Sequence, residues 1–159
     1  MLQFVSRAQS HTIFSEAGGS GGLGSVNYEY WFPPRVNTVI AESHGADEAI
    51  GYNRYVLRGG IGLSPVDKNN GWVMVMPMMA NLVWGRHTSP HRIEIGGGIA
   101  PSITTKGAWY IKSPLVLGYR WNPYDKRVIF RAGYTPIVGW LVDYQWQHWF
   151  GVSFGWVIR

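Results

Sequence analysis

Two short strings in this chain have the residue types for catalysis or cofactor binding. His87-Thr88-Ser89 sets an imidazole two residues from a hydroxyl, with Glu94 the nearest acid in sequence. A serine nucleophile needs a histidine within hydrogen-bond reach and a third group to orient that histidine. Here the string falls in a turn-like segment with Pro90 and away from mid-strand, and such tripeptides arise often by chance, so no catalytic residue is assigned. Gly19-Ser20-Gly21-Gly22-Leu23-Gly24 matches G-x-G-x-x-G. Dinucleotide binding requires a helix after that string, to receive the pyrophosphate at its N-terminus. The string leads instead into the alternating run Val26-Asn27-Tyr28-Glu29-Tyr30, so it reads as a Gly-rich hairpin. His87 and His91 would share a metal only on a helix, and Pro90 lies between them. His11, His44 and His148 are isolated and read as surface or turn residues. Cysteine is absent, which removes disulfides, thiolate ligands and cysteine nucleophiles. The sequence predicts no enzyme, no metal and no cofactor.

The charged residues are more informative. Glu16, Glu29, Arg54, Arg58, Glu94, Arg120 and Arg131 all fall on the small-residue face of alternating segments. If that face lines a narrow interior, these charges must pair, because an unpaired buried charge is costly. The expected result is a salt-bridged plug, with a charge-lined path for small ions as the functional alternative. The chain carries a formal charge of +5, but its lysines and arginines are scattered without a basic run, so no nucleic-acid partner is expected.

The elements that would position these charges are strands. The period is 2 nearly throughout, and eight segments stand out: His11–Gly18, Leu23–Phe32, Arg54–Leu63, Trp72–Trp84, His91–Ser102, Ile111–Trp121, Arg127–Ile137 and His148–Ile158. Most have the length a tilted strand needs to cross a bilayer, about 9–11 residues. In the last, Phe150, Val152, Phe154, Trp156 and Ile158 oppose Gly151, Ser153 and Gly155. In the seventh, Val128, Phe130, Ala132 and Tyr134 oppose Arg131, Gly133 and Thr135. A filled soluble barrel wants bulk inside and polarity outside. This arrangement suits bulk against lipid and small or charged residues within. The fold class predicted is therefore all-β, a single antiparallel up-and-down transmembrane β-barrel of about eight strands. Its domain spans 11–159, after a leader remnant or disordered N-terminus at 1–10. No apolar stretch reaches the roughly 18 residues of a membrane helix. Tyr30, Trp31, Phe32, Trp72, Trp84, Tyr119, Trp121, Trp146 and Trp149 lie near segment ends and read as interfacial girdles. With the N-terminus periplasmic, the third, fifth and seventh connections (Ser64–Gly71, Ile103–Tyr110, Val138–Gln147) are expected as longer outer loops, bearing Trp109, Tyr110, Trp140, Tyr144 and Trp146. The connection Pro33–Asn53 is long for its side and leaves room for a small helix near Glu42–Ile50 or extra strand at Val36–Ala41.

Several strings in order also resemble a small outer-membrane β-barrel family common in Bacteroidetes. They are Ile13-Phe14-Ser15-Glu16-Ala17-Gly18-Gly19, Ser25-Val26-Asn27-Tyr28-Glu29, Asn81-Leu82-Val83-Trp84-Gly85 and His91-Arg92-Ile93-Glu94-Ile95-Gly96-Gly97-Gly98. Leu117-Gly118-Tyr119-Arg120, Phe130-Arg131-Ala132-Gly133-Tyr134-Thr135-Pro136 and Trp149-Phe150-Gly151-Val152-Ser153-Phe154-Gly155 complete the set. The resemblance implies an integral outer-membrane location and no assigned activity. The expected role is structural or interactive through outer loops, with outer-membrane lipid as partner and another envelope protein or ligand at the loops. Two alternatives remain open: a lipid A deacylase-like hydrolase using His87 and Ser89, and a soluble lipocalin-like binding barrel.

Overall fold

A computed structural model describes residues 10–38, 50–67, 71–86, 89–123, 126–139 and 145–158. Apart from one 3-10 turn at Gly19–Gly21, the described regular structure is antiparallel strand. In chain order the strands are β1 Ser10–Gly18, β2 Gly24–Trp31, β3 Arg35–Thr38, β4 Ile50–Asp67, β5 Gly71–Val75 and β6 Met78–Arg86, then β7 His91–Thr104, β8 Trp109–Trp121, β9 Val128–Tyr134, β10 Ile137–Gly139, β11 Gln145–Gln147 and β12 Phe150–Ile158. Four consecutive pairs (β2 with β3, β5 with β6, β9 with β10, β11 with β12) each continue one line of the wall. The result is eight staves. Each stave pairs with its chain neighbours, and β1 pairs with β12 from His11↔Ile158 to Gly18↔Gly151, which closes an eight-stranded barrel.

Three of the four breaks inside staves carry proline, which removes a ladder donor, at Pro33-Pro34, Met76-Pro77 and Thr135-Pro136; the fourth, at His148-Trp149, does not. Neighbouring backbone spans the gaps: Gly60 donates to Pro77 O at 3.0 Å and Leu115 to Pro136 O at 2.8 Å. A path across the ladders from Phe14 around the ring returns to the first stave displaced by about ten residues, the stagger of a strongly tilted small barrel whose interior side chains fill. Inward glycines make room for those side chains. A Cβ on Gly155 would lie 2.3 Å from Phe14 Cβ, and one on Gly96 would lie 2.1 Å from Asn81 Oδ1.

The predicted strands recur with shifted bounds, and the largest shifts are at one end. The described parts of the stretches expected as the third, fifth and seventh loops are mostly strand. β4 runs on to Asp67, β7 to Thr104, β8 begins at Trp109, and β10 and β11 occupy much of 137–147. Loop length therefore does not distinguish the two ends, because pairing continues as far as the partner strand offers donors and acceptors. In the 33–53 connection the extra strand is present as β3, whose Arg35↔Asn53 to Thr38↔Ile50 ladder extends the hairpin with β4. Ile50, the last residue of the expected helix near 42–50, opens β4 instead, while residues 42–49 with His44, and His87, Trp140 and Tyr144, lie outside the described residues.

The interior is layered. At the end holding Ser10 and Ile158, here the terminal end, Trp31, Val56, Val83, Ile129 and Val157 form an apolar cluster. Charged side chains occupy the middle. Toward the opposite, turn end lies a second apolar cluster of Val73, Val75 and Ala100 with Tyr110 packed against it. Tyr110 thus turns inward, contrary to its expected role as an exposed loop aromatic, because it shares the parity of Lys112 and Pro114 on β8.

Candidate functional site

Alternation places all seven predicted charges inside, and all are buried. Arg120 and Arg131 stand on adjacent staves as direct ladder partners. Their like charges are held together by two carboxylates. Arg120 donates to Glu29 at 2.9 and 3.0 Å and to Glu94 Oε2 at 3.1 Å. Arg131 donates to both Glu94 oxygens at 2.9 and 3.0 Å, and its Nη1 lies 3.3 Å from Glu29. Two anions and two cations alternate in one ring. Asn81 adds a donor to Glu94 at 2.5 Å.

A second group sits closer to the turn end. Arg58 pairs with Glu16 and also donates to Asn27 Oδ1 at 2.9 and 3.0 Å. The Glu16 carboxylate is ringed by the hydroxyls of Ser20, Ser25 and Ser153, each 3.4 Å away. Arg54 takes a different place, at the terminal end, where its Nε donates to Phe32 O at 2.6 Å.

Two aromatic rings tie these groups together, and both were missed in the sequence. Phe14 lies under Arg58 and Arg131, at 4.9 and 4.6 Å from its centroid. Trp31 lies under Arg54 and Arg120 at 5.1 and 4.7 Å, and its indole N–H donates to Thr12 at 2.9 Å. Guanidinium groups favour the faces of aromatic rings, most strongly when desolvated. Trp31 was expected in an interfacial girdle but is only 2% exposed. It shares the parity of Glu29, which points inward, while Tyr30 and Phe32 take the other face. Trp149 is likewise no rim residue: it is half-buried and lines an inner cavity. Arg92, on the parity of Glu94, is also buried.

The first hairpin turn completes the plug. Gly18, Gly19 and Gly22 have φ of 74°, 78° and 87°, the left-handed region open to glycine. This lets the turn fold into the lumen, where Gly19, Ser20 and Gly21 are all buried. The void left beside Glu16, Glu94, Arg131 and Ser153 is about 10 Å³, room for roughly one water. Among the described residues no group of three His, Asp or Glu side chains is placed to hold a metal.

The outer face is the inverse of this interior. Ile13, Val26, Leu57, Ile61, Ile93, Ile95, Leu117, Phe130, Val152 and Phe154 are all exposed on the wall. The exposed charges among the described residues, Arg86, Lys106, Lys126 and Arg127, lie at strand ends or in turns. Three imidazoles bond tyrosine hydroxyls of the outer wall: His11 with Tyr28, His91 with Tyr119 and His148 with Tyr134. Ser89 accepts from the His91 backbone N–H at 3.2 Å in a turn. Glu94, the acid nearest it in sequence, is inside the barrel and held by two arginines. Comparison with protein-family models, with curated proteins and with solved structures finds no match to this chain.

Proposed function

We propose that this chain is an integral outer-membrane β-barrel with a closed interior, acting as a structural or interaction protein through the turns at its turn end. The observation that carries the reading is the inverted polarity of the wall, with apolar side chains outside and ion pairs inside. Water would solvate the opposite arrangement, and a lipid-like solvent favours this one. A closed ring also leaves no unpaired edge at the level of the ion pairs.

Aromatic placement supports the same reading. Trp72 and Trp84, Trp109 and Trp121, and Trp146 and Trp156 mark the outer face near both ends of three staves. Their separation of about 10–12 residues, at about 3.3 Å per residue and a tilt near 40°, is about 25–30 Å, the height of a bilayer's apolar band. Outside the wall an apolar concavity of about 790 Å³, lined by Phe32, Pro33, Tyr55, Leu57, Leu82 and Ile95, suits acyl chains. Two residues at the turn end, Trp109 (71% exposed) and Trp146, offer contact surface for an envelope partner.

The test is membrane fractionation followed by gel migration with and without heating. The reading expects extraction only by detergent and a faster or slower unheated band. A protein found in the aqueous fraction with no heat-dependent shift overturns it in favour of a soluble barrel.

A further inference from the structure

We draw no further inference here: the strongest candidate, the apolar concavity of about 790 Å³ on the outer face of β4, β6 and β7 beside Phe32 and Pro33, is part of the apolar wall already described, and nothing in the structure shows what covers it.

Discussion

The terminal-end half of the barrel and the turn-end half solve different problems with the same strands. The first is a complete ring whose lumen is packed with ion pairs, two aromatic plates and amide side chains. The second is a six-strand wall lined by Val73, Val75 and Ala100, with one ammonium. In the first, polar groups determine one arrangement, because each has partners on several staves. In the second, dispersion and burial suffice. The ion-paired layer is therefore the part whose arrangement is most tightly specified.

This contrast can be broken most severely at Arg120. Arg120→Met removes the cation shared by Glu29 and Glu94 and leaves their carboxylates short of charge in a sealed layer. The expected loss is about 3–5 kcal/mol, read as a shift of the urea unfolding midpoint in detergent or lipid. A loss under about 1 kcal/mol would mean that water reaches this layer. Leu115→Arg tests the outer face midway between Trp109 and Trp121, where Leu115 is exposed, with an expected cost of about 2–4 kcal/mol in vesicles of defined thickness. The same variant costing nothing in vesicles would remove the lipid-facing assignment. Val75→Ala probes the turn-end half, where two lost methyl groups are worth about 1–2 kcal/mol; an effect as large as that of Arg120→Met would erase the difference between the halves. Smallest is Ser153→Ala. Its hydroxyl is 3.4 Å from Glu16, one of three around that carboxylate, so less than about 1 kcal/mol is expected by the same unfolding measurement.

Alternation made the barrel and the inward charges legible, because side-chain parity is a local property of a strand and survives any error in its bounds. Phe150 to Ile158 alternates without a fault, and so does the burial of those residues. Trp31 shows where a residue's type misleads against its parity. An indole beside Tyr30 and Phe32 reads as part of an aromatic rim, yet parity with Glu29 already pointed it inward. Tyr110 and Trp149 mislead in the same way. The pairing within the charge layer was not legible. Glu29 and Arg120 are far apart in sequence and meet only because of the stagger and tilt, which depend on every ladder at once. The extent of β4, β7 and β8 was hidden for a related reason. Pro65, Thr104 and Trp109 fall in expected loops, and only the partner strands keep them in the wall.

The ladder between β1 and β12 joins residues from opposite ends of the described chain. Each of the other seven seams can form as a local hairpin, with little chain to organise. This one seam must wait for the rest, and until it forms both flanking staves are open edges. The ring, and with it the sealed charge layer, is therefore made in one late event. Any condition that delays that event lengthens the life of an open, sticky sheet without changing a single contact in the finished molecule.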